Sequence, residues 1–338
     1  MPGRRTSAAV AALIGLAACG GAGEGSGADG IPGRMTINGG DYAVTLIDAD
    51  AAAGTSNGVS IEHIHVDGRL AGSRWSDPLE FPGQAIVVVD GRTEHLPSDA
   101  TGSPLVSAAH GLGPAGAVIG RGGDCRDLAG FPLVSHGFVW RPGPGGYVKV
   151  EAPGSVRAGP PWCPAFNSTT PYDMNGLGVM VGDYEGDDGR RRGFVGSLGA
   201  LEDYVPSSAP ASLQVGLRGI NAHGELVGEL VEDNGVGRAF VDGRDGLVRI
   251  EVPGATWSLA RAISDGGVVA GHYGDTRGVV HGFLWQEGRV VTVDVPGATY
   301  TQLNGVNDLG QLAGTVEFVV SPGRSLTRGF VLTPLAPP

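Results

Sequence analysis

Residues 293–314 read VDVPGATYTQLNGVNDLGQLAG, and residues 250–271 read IEVPGATWSLARAISDGGVVAG. Both carry a VPGAT turn, a short apolar run and a G-x-x-x-G hairpin. How often this unit recurs decides the fold. The hairpin, preceded by an apolar residue, also occurs as INAHGELVG ending at Gly228, MNGLGVMVG at Gly182, LGPAGAVIG at Gly120 and IHVDGRLAG at Gly72. With the opening pair, ending at Gly271 and Gly314, that makes six.

A second anchor is a small residue followed by an aromatic that opens an apolar run. It appears as HGFVW (Phe138), RGFVG (Phe194), RAFVD (Phe240), HGFLW (Phe283) and RGFVL (Phe330), with QAIVV placing Ile86 at the same point. It too occurs six times. A period of 43 to 62 residues with room for four short strands is the signature of a propeller-like array. Strand a precedes the hairpin, b follows it, c is the GFLW run, and d is the RVVTVDV run before VPGA. Turns such as NDLG, NAHG and VDGR supply Gly, Asn and Asp where φ turns positive.

The last unit stops after its strand c, RGFVLTPL, and the first is preceded by an orphan strand, DYAVTLIDAD, that matches a strand d. Pairing the two removes open sheet edges. The expected fold is therefore all-β: a six-bladed β-propeller of four-stranded blades, its ring closed by the N-terminal strand beside the C-terminal one.

Composition agrees. The 338 residues include 61 Gly and 23 Pro, with 41% hydrophobic and 17% charged residues. So much Gly and Pro opposes long helices, while recurrent Val and Ile runs oppose disorder. A net charge of −12 without a basic stripe excludes nucleic acid as a partner. The GRRRG run at Arg190–Arg192 follows the acidic DYEGDD and reads as a solvated loop rather than a phosphate site.

Arg4 and Arg5 precede an apolar run too short to span a bilayer, the pattern of a secretory signal. It ends LAAC at Cys19, which resembles the lipobox of bacterial lipoproteins; an ordinary signal peptide cleaved nearby is the alternative. The resemblance implies that Cys19 is lipidated and, with Gly20 following it, that the protein is sorted to the outer membrane. The expected organisation is a signal peptide (1–18), a Gly-rich tether (19–33) and a propeller (34–338). Assigning Cys19 to lipid leaves Cys125 and Cys163, for which a disulfide is the default in an oxidising compartment. Neither has ligand spacing for zinc.

The HGF and RAF steps with IN-x-x-G-x-x-x-G resemble the extracellular repeat proteins named for their His-Ala-Phe motif, over roughly residues 40 to 335. Here the first position is Arg or His and the second mostly Gly. The resemblance implies a secreted or surface propeller and brings no catalytic residues with it.

In a propeller the b–c and d–a connections share one face, and the long ones fall there: SRWSDPLEFPG, RGGDCRDLAGFPLVS, SVRAGPPWCPAFNS, DYEGDDGRRR and EFVVSPGRSLT. Trp75 and Trp162 sit in such loops and are candidate ligand contacts. Aligning the strands a on the first hairpin glycine places Glu62, His110, Tyr172, Arg218, Arg261 and Asn304 at one position. Two residues on stand Ile64, Leu112, Met174, Ile220, Ile263 and Val306, uniformly apolar. If strand a is innermost, the first set forms a polar ring near the loop-side mouth of the axis. It either binds a polar ligand, the two arginines suiting an anion, or caps a wet channel. His63 and His65 lack a third metal ligand, and no metal or other cofactor is expected.

No G-x-S-x-G elbow is present. Glu62 with His110 is the one acid–base pair the alignment offers. The expected function is a monomeric surface- or periplasm-facing binding module for a protein, peptide or glycan, touching the membrane only through its lipid. A propeller hydrolase or lyase acting on polysaccharide, and a structural envelope protein, are the alternatives.

Overall fold

The computed structural model describes residues 33–48, 58–75, 83–97, 106–123, 125–126, 132–133, 136–143, 146–155, 167–206 and 213–335. Among them strand is nearly the only regular structure, and no helix is long and apolar enough to cross a membrane. A hairpin of β1 (Arg34–Ile37) and β2 (Gly40–Ile47) comes first. Its turn, Asn38-Gly39, has positive φ at both positions, as a tight hairpin between right-twisted strands requires.

Antiparallel meanders follow. The first is β3 (Gly58–Ile64), β4 (Leu70–Trp75), β5 (Gln84–Val89) and β6 (Arg92–His95). The second begins with β7 (Val106–Leu112) and β8 (Val118–Gly123). A two-stranded ribbon, β9 (Cys125–Arg126) with β10 (Pro132–Leu133), precedes its outer strands β11 (His136–Arg141) and β12 (Gly146–Val150). The third is β13 (Thr170–Met174), β14 (Met180–Glu185), β15 (Arg191–Ser197) and β16 (Ala200–Asp203). The fourth is β17 (Gln214–Ile220), β18 (Leu226–Val231), β19 (Gly237–Gly243) and β20 (Gly246–Arg249). The fifth is β21 (Trp257–Ile263), β22 (Val269–Gly274), β23 (Val280–Gln286) and β24 (Arg289–Val293). The last comprises β25 (Tyr300–Val306), β26 (Leu312–Ser321) and β27 (Arg324–Pro334).

The last meander is completed from the other end of the chain. β2 runs antiparallel beside β27, with Tyr42 opposite Pro334 and Ile47 opposite Gly329, and β1 adds a fifth strand outside it. A single parallel bridge, Thr327 to Gly58, links this sheet to the first meander. Each first strand packs on the meander before it: β7 on β3–β5, β13 on β7, β8 and β11, β17 on β13–β15, β21 on β17–β19, and β25 on β21–β23. β3 in turn packs on β25–β27.

The two sequence anchors are two halves of one contact. Phe138, Phe194, Phe240, Phe283, Phe330 and Ile86 lie directly opposite the second hairpin glycines Gly120, Gly182, Gly228, Gly271, Gly314 and Gly72. All six large side chains are fully buried, each contributing about 1.5–3 kcal/mol through apolar area alone. A Cβ on Gly182 would stand 2.6 Å from the Phe194 ring, so the glycine makes room for its partner. The small residue before each aromatic serves the next meander. A Cβ on Gly329 would meet Ile61 at 2.5 Å, and one on Gly193 would meet Leu217 at 3.0 Å.

The IN-x-x-G step is a stitch between meanders. Asn221 Oδ1 accepts the backbone N–H groups of His223 and Glu225, closing its own hairpin, while Nδ2 donates to the Ser264 carbonyl of the next one. Asn175 does the same toward Asn221, and Asn307 toward His65 of the first meander.

Candidate functional site

The six aligned polar residues share a backbone cause. In β3, Ile61 pairs with Gly72 and His63 with Ala71, leaving Glu62 as the extra residue of a β-bulge. The same skip isolates His110, Tyr172, Arg218, Arg261 and Asn304. A bulge breaks the alternation of a strand and re-aims one side chain. It also explains the second hairpin glycine: a Cβ there would lie 1.9 to 2.2 Å from a strand-a carbonyl in every unit.

The re-aimed side chains meet. Arg261 of the fifth meander forms an ion pair with Glu62 of the first, and Glu62 also accepts the Ser60 hydroxyl. The Arg218 guanidinium stands 3.9 Å from the centre of the Tyr172 ring, and that of Arg261 stands 5.8 Å from it. His110 stacks on the same ring at 4.9 Å and donates Nδ1–H to the Pro171 carbonyl at 3.0 Å. Asn304 donates to the Ile61 carbonyl at 2.8 Å. Sequence reasoning expected this set near the loop-side mouth. The bulges put it closer to the hairpin ends of the strands, because the extra residue is the fifth of seven in every first strand except β13.

A second tier was missed. The residue after each second hairpin glycine is polar in all six units: Ser73, Arg121, Asp183, Glu229, His272 and Thr315. Asp183 accepts Arg218 Nη1 at 2.7 Å, and Glu229 accepts Arg218 Nη2 at 3.2 Å and Arg191 at 2.5 Å. Both bulge arginines are thus committed to carboxylates. Their Nε atoms, Arg121 Nε and Asn304 Oδ1 are buried with no hydrogen-bond partner among the described residues, leaving three donors and an acceptor on these tiers.

His272 accepts the Gln302 amide at Nε2 and donates Nδ1–H to Leu303, and burial, then Arg261, pushes its pKa down to about 3. Unfolded, the same imidazole titrates near 6.5. Below that pH the unfolded chain binds a proton that the native state refuses, so stability falls as pH drops from 6.5 toward 3. Between pH 7 and pH 5 the loss should be about 2 kcal/mol from this residue. Urea unfolding of wild type and His272→Gln at both pH values checks it, since the variant should lose less on acidification.

At the hairpin ends a cavity of about 220 Å³ is lined by residues of all six meanders. His63 and Asp173 meet in it, Nδ1 to Oδ1 at 3.5 Å. Asp265 and Asp308 also line it, each accepting a backbone N–H from the preceding hairpin.

The remaining expectations fall out unevenly. Trp75 is not a loop residue: it ends β4, and its indole fills the space that a side chain on Gly58 would need. Trp162, Cys19 and Cys163 lie outside the described residues, and Cys125 is placed only as backbone, in β9. His65 pairs with Asp67 at 2.8 Å. Among the described residues no group of three or more His, Cys, Asp or Glu side chains is arranged to hold a metal.

No family model and no curated protein matches this chain. Among solved structures it is similar to a protein of unknown function from Dyadobacter fermentans, at 11% identity and TM-score 0.49, over 86% of this chain and 98% of that one. It is also similar to an arginine-to-alanine mutant of AofleA from Arthrobotrys oligospora, at 10% identity and TM-score 0.43, over 88% and 90%. A third is a puromycin-hydrolyzing peptidase of Mycobacterium tuberculosis, at 13% identity and TM-score 0.41, over 86% of this chain and 47% of that one.

Proposed function

We propose that the chain is an exported six-bladed β-propeller whose work is binding. The six meanders are its blades, and the pairing of β2 with β27 closes it. Residues 34–338 follow a signal peptide and a tether held in the outer membrane through lipidated Cys19. The His-Ala-Phe-like steps belong to this reading, as the residues that let one blade pack on the next.

The engagement of the bulge residues with one another carries the choice of binding over catalysis. Glu62, the carboxylate among them, is held by Arg261 and Ser60, and His110 is spent on a carbonyl and a ring stack. An acid–base pair needs groups within reach of a substrate proton, and these two are tied to protein partners. Recognition then rests on the loop-rich face, which takes a protein, peptide or glycan ligand.

The test is to apply residues 34–338 to a glycan array and to outer-membrane extracts. Retention without turnover is the expected result. Cleavage of a polysaccharide that Glu62→Gln stops would replace binding by the hydrolase or lyase reading. Mass spectrometry of the mature N-terminus should find acylated Cys19, and an unmodified Cys19 would end the anchor.

A further inference from the structure

We infer that the axial cavity at the hairpin ends is a binding site for an alkylammonium group, such as an amine or a lysine side chain carries. It lies beyond the loop-face reading and does not depend on it. Its walls are the six apolar residues two places after the bulges: Ile64, Leu112, Met174, Ile220, Ile263 and Val306, one from each meander. Each is almost wholly buried, so together they form a collar with only a narrow apolar surface turned inward.

Asp173 sets the polarity inside that collar. Its residue is 7% exposed, and its carboxylate accepts the backbone N–H of Met174 at 2.8 Å and of Ile220 at 3.0 Å. The side chain of His63 approaches it at 3.5 Å, and burial lowers the His63 pKa, so the imidazole is neutral at pH 7. With Nδ1–H turned to Asp173, His63 presents Nε2 as an acceptor. Among the described residues no Lys or Arg lines the cavity, and Asp265 and Asp308 add two further carboxylates. Buried carboxylates ordinarily face a formal cation. Here burial raises the pKa of Asp173, and what opposes that rise is the neighbouring His63, the two backbone N–H groups and His65, with no guanidinium or ammonium among them.

An entering ammonium supplies the missing charge and donates to Asp173 and to His63 Nε2, while its methylene stem lies against the collar. An anion would meet three carboxylates. The exposed Val66 of the first hairpin also lines the cavity and extends the apolar surface outward. The volume, about 220 Å³, exceeds the roughly 150 Å³ of a cavity that takes up benzene, so a five-carbon amine fits.

Met174 reports directly on occupancy, and the chain has only four methionines, so its methyl signal is assignable by NMR. n-Pentylamine titrated into methyl-labelled protein at pH 7 should shift the Met174 signal saturably. 1-Pentanol, the neutral isostere, should bind at least tenfold more weakly. Asp173→Asn should weaken pentylamine at least tenfold and leave pentanol unchanged. Because Asp173 also holds two backbone N–H groups, Ala262→Leu serves as a second variant. It fills the cavity from the fifth meander and should block both ligands. Equal binding of amine and alcohol would overturn the assignment. So would a Met174 signal unmoved by amine, or amine affinity unchanged in either variant.

Discussion

Gly228→Ala should cost the protein about 3 kcal/mol or more, although it adds one methyl group to a β-strand. The new Cβ would lie 1.9 Å from the Gly216 carbonyl oxygen and 3.0 Å from its carbon, and backbone cannot move aside as a flexible side chain can. The bulge at Arg218 brings that carbonyl over the glycine, so relief requires undoing the bulge. Gly224→Ala, in the same G-x-x-x-G motif, should behave differently. Its φ is +79° and nothing lies within 4 Å of the added atom, so the cost is left-handed strain alone, about 1–2 kcal/mol. Urea unfolding of both variants in residues 34–338 separates the mechanisms. Equal costs would mean that the carbonyl contact relaxes and that the second glycine answers to turn conformation only.

The other large effect is expected at Arg218. Arg218→Met should lose about 3–5 kcal/mol, because it strands Asp183 at the protein interior and leaves Glu229 with Arg191 alone. Arg191, the remaining cation, is 41% exposed and lies 3.7 Å from Asp183, so it cannot replace the lost pair at 2.7 Å. The same substitution removes the guanidinium from the face of Tyr172. Combining it with Asp183→Leu should restore part of the loss, since removing both charges of a buried pair costs less than removing one. The double-mutant cycle read by urea unfolding should give a coupling above about 1 kcal/mol. Additive losses would mean that water, not Arg218, solvates Asp183.

The repeat and its chemistry were legible because they are covalent patterns with direct packing causes. Gly228 and Phe240 stand apart in sequence, yet each is required by the other across one strand pair, so both recur together. The pairing of β2 with β27 was legible as well, from a strand too many at one end and one too few at the other. β1 was not foreseen, although Asn38-Gly39 signals a hairpin; the run before it, Arg34–Ile37, is too short to show alternation. The alignment picked out Glu62, His110, Tyr172, Arg218, Arg261 and Asn304 because their identities vary at a fixed place. It gave no hint of the bulges, since an extra residue in one strand is invisible without its partner's register. For the same reason the depth of the set was misjudged. Asp183 and Glu229 lie one residue past the repeat's most regular glycine and were passed over as its flank. Trp75 is misplaced by its sequence, because the polar SRWSDP run reads as loop, whereas the strand continues through Trp75 against Gly58.

The seam between β2 and β27 has a consequence for how copies of this chain treat one another. Residues 40–47 are synthesised long before residues 324–334, and until those arrive the early strand offers unsatisfied N–H and C=O groups to any matching edge. A second copy carries the identical edge. At high local density, two chains can trade first strands and lock together through contacts each already makes with itself. Crowding during biogenesis therefore favours entwined dimers, and dilution favours independent molecules.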